Sequence, residues 1–125
     1  MQTTGKLPQF DRQNYLNLET FRRTGEGVKT PVWFVEDGGV IYVSTMMDSG
    51  KVKRARRNPK VRVVPCDMRG APKGEWLQAH ADLVNDPAVD TRINALLNRK
   101  YGLLKWIFER MRSKNPAMIT IKITV

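Results

Sequence analysis

The chain has 125 residues, 41% of them hydrophobic, which is enough for one domain with a real core and too apolar for a disordered composition. It contains no run of about 20 apolar residues that would cross a membrane as a helix, and its single cysteine, Cys66, excludes an internal disulfide. The 22 lysines and arginines against 12 acids give a formal charge of +10, which favours anionic partners without choosing between phosphates, nucleic acid and an anionic membrane surface.

The opening MQTTGKLPQF carries no apolar run of the kind that directs secretion. With one cysteine, the reducing cytoplasm is the expected compartment. Residues 1–12 read as a polar arm, flexible or swapped, on a single domain spanning 1–125. From Tyr15 to Arg22 apolar and polar residues mostly alternate, which predicts a strand, and RTGEG supplies a turn. In VKTPVWFVEDGGVIYVST two β-rich runs flank Glu36-Asp37-Gly38-Gly39, the pattern of a hairpin. Pro31 lies inside the first run and marks an edge or a break in pairing, because it has no N–H to give a ladder.

Asp48 or Ser49 is placed to cap a short helix through SGKVKRARR, and Asn58-Pro59 stops it. KVRVVPCD is a strand and MRGAPKG a loop. EWLQAHADLV is the cleanest strand, with Leu77, Ala79, Ala81 and Leu83 on one face. Pro87 opens a helix with Val89, Ile93, Leu96 and Leu97 on one side. Gly102 interrupts, and LLKWIFERMR continues as a second amphipathic segment with Leu103, Leu104, Ile107 and Met111 on one side. AMITIKITV closes the pattern with Ile119, Ile121, Ile123 and Val125 inward. These elements predict a mainly β protein, a six-stranded antiparallel barrel with a short basic helix and a helical pair, since closure removes exposed sheet edges.

The chemistry concentrates between Lys29 and Val61. Lys51, Lys53, Arg54, Arg56, Arg57, Lys60 and Arg62 follow one another with no acid among them. A helix that starts at Ser49 presents unpaired N–H groups and a partial positive charge, which suit a phosphate. Ser49 offers a hydroxyl and Lys51 a compact charge. A basic helix is more often a solvated face, so this spacing alone does not decide the matter.

The stretch KTPVWFVEDGGVIYVSTMMDSGKVKRARRNPKVRVV resembles the core of the pyridoxamine 5′-phosphate oxidase-like split-barrel superfamily, and within it the small FMN-binding and deazaflavin (coenzyme F-420)-dependent oxidoreductases. The shared pattern is a strand, hairpin and strand ending in Thr45, then Ser49-x-Lys51, then Asn58-Pro59-Lys60-Val61. The resemblance covers residues 15–84 well and the last strand in character only. It implies a split β-barrel and a homodimer with the cofactor at the interface. It implies that Lys29 stands near the cofactor, that Thr30, Pro31, Val32 and Trp33 run past its ring, and that Thr45, Ser49 and Lys51 hold the phosphate end. Two departures weaken the oxidase assignment: Gly50 stands where those oxidases carry an arginine, and Phe34 where they carry a lysine. The basic substrate motif of the true pyridoxamine-phosphate oxidases is also missing from the closing strand, so that activity is not expected.

The implied cofactor is coenzyme F-420 or FMN, and the implied reaction is hydride transfer to or from a small organic substrate. The deazaflavin carries a phosphate and a polyglutamate tail, which Lys53, Arg54 and Arg57 are placed to meet, and the loss of an arginine at Gly50 favours it over FMN. No catalytic residue and no metal ligand set stands out. His80 is alone on the polar face of its strand and reads as a surface residue, Cys66 as a small buried filler, and Trp76 and Trp106 as core or interface residues; Met46 and Met47 pack the loop. The competing reading is a basic nucleic-acid-binding module without catalysis. The charge supports it, but no recognition motif is present and the basic run has no interleaved aromatics for base stacking, so nucleic acid is not the expected partner.

Overall fold

The computed structural model describes residues 7–111 and 117–125, with only the backbone described for 103–111. Among these residues seven strands are formed: β1 (Tyr15–Phe21), β2 (Gly27–Val32), β3 (Val35–Asp37), β4 (Val40–Met46), β5 (Lys60–Cys66), β6 (Leu77–Val84) and β7 (Met118–Thr124). Two helices, α1 (Gly50–Arg57) and α2 (Pro87–Met111), join them. Every ladder is antiparallel, in the order β2-β1-β5-β6-β7-β4-β3.

Six strands were expected and seven are found, because one run of sequence is bent. VKTPVWFVED first pairs with β1, Leu16 opposite Val32 and Phe21 opposite Gly27. It breaks at Trp33-Phe34 and then pairs with β4, Val35 opposite Tyr42. The two halves stand at opposite ends of the strand order, yet only two residues separate them in the chain. That bent run joins both edges, so the sheet closes into a barrel. The expected hairpin around Glu36–Gly39 is therefore only three residue pairs deep.

Alternation sets the core. Leu16 and Leu18 of β1, Ile41 and Val43 of β4, Val61 and Val63 of β5, Ala81 of β6 and Ile119, Ile121 and Ile123 of β7 all point inward and are buried. Val125, expected with them, lies past the last ladder pair and is 49% exposed. Val52 and Ala55 of α1 enter the same core, and the helix lies against β1 and β6. The outer face of β3 and β4 is covered by α2, through Val35, Tyr42, Ile93, Leu97 and Tyr101. At Gly102 (φ 50°, ψ −122°) α2 breaks into the two segments expected from the sequence. Leu103, Leu104, Trp106, Ile107, Phe108 and Met111 lie outside the residues whose side chains are described.

The expected polar arm is a packed strap from Leu7 onward. Pro8–Phe10 form one 3-10 turn, Phe10 is 2% exposed, and the Phe10 and Phe34 rings meet edge to face at 5.6 Å. Among the described residues no helix is long and apolar enough to cross a membrane.

Candidate functional site

The sheet is curled and its two edges are joined through the bent run, but no ladder pairs β2 with β3 among the described residues. β3 covers only Val40–Tyr42 of β4. Beyond it, the edge of β4 from Val43 to Met46 and the edge of β2 turned away from β1 have no strand partner among the described residues. Pro31 sits mid-strand on β2 opposite Asn17. A proline is accommodated there with its nitrogen turned to the free edge, which also discourages a further strand from adding. Two unladdered edges thus flank a split, one carrying Thr30–Val32 and the other ending at Thr45.

The chain leaves β4 at that split and starts α1. Ser49 is the N-cap residue, in extended conformation (φ −70°, ψ 157°). Its N–H donates to the Met46 carbonyl at 3.1 Å and its carbonyl accepts from Lys53 N–H at 3.2 Å. Its side chain caps nothing, and its Oγ is enclosed with no hydrogen-bond partner. No acid stands in the first turn. Cations gather there instead. Lys51 is half-buried, and desolvation, then the nearby Arg54 charge, hold its ammonium below the ordinary lysine range. Arg54 donates from Nε to Thr20 Oγ1 at 2.7 Å, which turns its guanidinium back over Gly50, where an added Cβ would lie 2.8 Å from Nη1. Desolvation first, then the charges of Arg22 and Arg57, lower its pKa. Among the described residues neither Lys51 nor Arg54 has an acid partner. Lys51, in the first turn, opposes the helix dipole by roughly 0.3–1 kcal/mol, whereas Arg54 belongs to the last turn, where the dipole favours a cation, and only its guanidinium is turned back toward the helix start.

The other expected residues stand on β2, on β4 and along α1. Thr45 is buried on the inner face opposite Ile119, and Thr30 and Val32 stand opposite Leu18 and Leu16. Gly50 is exposed; Lys53 and Arg57 are exposed along α1, and Arg57 Nη2 donates to the Phe21 carbonyl at 3.3 Å. Lys29 is exposed on the outer face, with Nζ 5.4 Å from the Trp76 ring centroid. Arg62 lies over the same indole at 4.8 Å and pairs at 2.6 Å with the buried carboxylate of Glu19. Trp76, Arg62 and Glu19 form a cluster that no periodicity in the sequence marked.

Trp33 is held from behind. It stacks on Tyr101 with centroids 4.4 Å apart. The Tyr101 hydroxyl accepts from Phe34 N–H at 3.0 Å and donates toward the Asn14 and Phe34 carbonyls at 2.8 and 3.0 Å. Lys100 Nζ donates to the Phe34 carbonyl at 2.8 Å and lies 3.6 Å from the Phe34 ring centroid. A cavity of about 150 Å³ opens between Asn14, Tyr15, Trp33, Lys100 and Tyr101. His80 is exposed beside Asp82, and Cys66 is buried, which pushes its thiol pKa up. Among the described residues no group of three metal-binding side chains gathers.

No family model and no curated protein matches the sequence. Solved structures do. A protein from Listeria innocua, provisionally named a pyridoxamine 5′-phosphate oxidase, superposes with a TM-score of 0.68 at 17% identity over 94% of this chain and 87% of that one. The heme storage protein HutZ of Vibrio cholerae does so with a TM-score of 0.70 at 14% identity, over 94% and 84%. An F420 reductase gives 0.62 at 21% identity, over 98% and 94%. The fold is the pyridoxamine 5′-phosphate oxidase-like split barrel.

Proposed function

We propose that this chain binds a phosphate-bearing flavin or deazaflavin, FMN or coenzyme F-420, with the phosphate at the head of α1 and the ring in the split, and that it works as a homodimeric oxidoreductase on a small organic substrate. The observation that carries this is the convergence of Lys51 and Arg54 on an acid-free helix start beside the unpartnered Ser49 Oγ. The chain supplies what such a group needs. Ser49 Oγ and the first-turn N–H groups would donate to phosphate oxygens, and Lys51 and Arg54 would balance their charge. The unladdered edge of β2 at Thr30–Val32 would meet the polar rim of the ring. Trp33, braced by Tyr101, would wall one side and keep water out. When bound, the ring donates or accepts the hydride, which is chemistry the protein orients rather than performs. The similarity in fold to an F420 reductase supports the reading.

The charge of +10 and the acid-free α1 also suit nucleic acid. One comparison separates the two: titrate the protein with FMN and with F-420, then with a DNA duplex across salt. Saturable 1:1 cofactor binding with only weak, steeply salt-dependent DNA binding supports the proposal; tight DNA binding with no cofactor binding contradicts it.

A further inference from the structure

Gly50 has no side chain, and the space beside it is filled from one turn further on. Arg54 stands four residues later on the same helix face. Its Nε is tied at 2.7 Å to Oγ1 of Thr20, a residue with 0% exposure, and this fixes the direction of the guanidinium. A Cβ on Gly50 would come within 2.8 Å of Nη1, 3.5 Å of Cζ and 3.6 Å of Nη2. The two terminal nitrogens therefore lie against the backbone of the first helical residue, beside Lys51. Their fork is free of any acid among the described residues. We propose that Arg54 is the guanidinium that grips the phosphate at the head of α1, and that Gly50 determines this by leaving the space Arg54 occupies.

This rests on the phosphate site proposed above and changes its specificity. Arg54 would then supply, from one turn further along α1, the guanidinium that Gly50 lacks. A planar fork binds two oxygens of one phosphate, so the site is suited to a terminal phosphate monoester and not only to an extended polyanion. FMN is then held as firmly at its phosphate as a deazaflavin is.

Gly50→Ala tests the space. Gly50 lies in the helix without positive φ, so alanine favours α1 while its methyl displaces the Arg54 fork. Arg54→Ala removes the fork, and Arg54→Lys keeps the charge without it. The probes are inorganic phosphate, followed by 31P line broadening, and FMN against riboflavin, followed by flavin fluorescence. The parent should bind phosphate and prefer FMN to riboflavin. Each of Gly50→Ala and Arg54→Ala should lose about tenfold of both, the scale of one charge-assisted bidentate contact, with riboflavin unchanged and Arg54→Lys in between. If both variants keep the parent's phosphate binding and FMN preference, the role of Arg54 is overturned while the phosphate site stands. If phosphate binds the parent and is lost in the variants but FMN never binds, Arg54 keeps its role and the flavin reading fails. If the parent binds neither probe, both fail.

Discussion

The indole of Trp33 lies flat against the phenol of Tyr101, with planes 11° apart and centroids 4.4 Å apart. Trp33 sits where the chain leaves the ladder with β1 for the ladder with β4, so the stack fixes the corner at which the barrel closes. The Tyr101 hydroxyl adds bonds to both backbone groups of Phe34 and to Asn14. Tyr101→Phe should keep the stack and leave the buried Phe34 N–H unpaired. Urea unfolding should show a loss of about 1–3 kcal/mol with little change in near-UV circular dichroism. A loss well under that range would mean that the corner holds without the hydroxyl.

Beside that corner, desolvation over the Phe34 ring lowers the Lys100 ammonium from 10.5 to about 8. Between those values the unfolded chain holds a proton that the folded chain has released, so this group makes stability rise with pH across that window and contributes no slope below it. Burial raises the Tyr101 phenol instead. Above about pH 10 the unfolded phenol ionises first, and stability falls. Lys100→Met should lose the rise and keep the fall. Parallel stability–pH curves for parent and variant would refute the assignment.

Much of this fold was legible because alternation carries it. Leu77–Leu83 and Ile119–Ile123 face inward as their period requires, and Val89, Ile93 and Leu97 lie on one helical face under Tyr42. The bend at Trp33-Phe34 was not legible, because both halves of that run are equally β-rich and only the partners differ. Phe10 in the core was hidden in a segment with no period. Of the site, Ser49 and Lys51 could be found from spacing. The fold-back of Arg54 onto Gly50 depends on Thr20, 34 residues away, and the brace on Trp33 on a tyrosine 68 positions on. The approach of Lys29 to Trp76 likewise depends on strand register and on a loop residue 47 positions on, which alternation does not reveal.

Replacing Lys51 by alanine should weaken cofactor binding by about 1.5–3 kcal/mol, the scale of a charge-assisted hydrogen bond. Titration calorimetry against FMN and F-420 measures it. Unchanged affinity for both would remove Lys51 from the site.

Lys53 and Arg57 extend charge along α1 beyond the phosphate grip. F-420, with its polyanionic tail, should therefore lose affinity with salt more steeply than FMN. Lys53→Glu with Arg57→Glu should weaken F-420 selectively. Equal salt slopes would show that the tail does not run along this helix.

Met46, Met68 and Val125 are 44%, 72% and 49% exposed, apolar surface that a second copy of the chain would cover. Light scattering at micromolar concentration should report a dimer of the 14.3 kDa chain. A monodisperse monomer would contradict the shared-interface part of the proposal.

The split and the head of α1 are proposed to hold a phosphate-bearing flavin or deazaflavin. Calorimetric titration of the purified, cofactor-free protein with FMN and with F-420 tests it most directly. Saturable binding of at least one of them is expected, one molecule per chain, with affinity lost in Lys51→Ala and far weaker binding of riboflavin. Absence of saturable binding by both, with the protein folded, would contradict it.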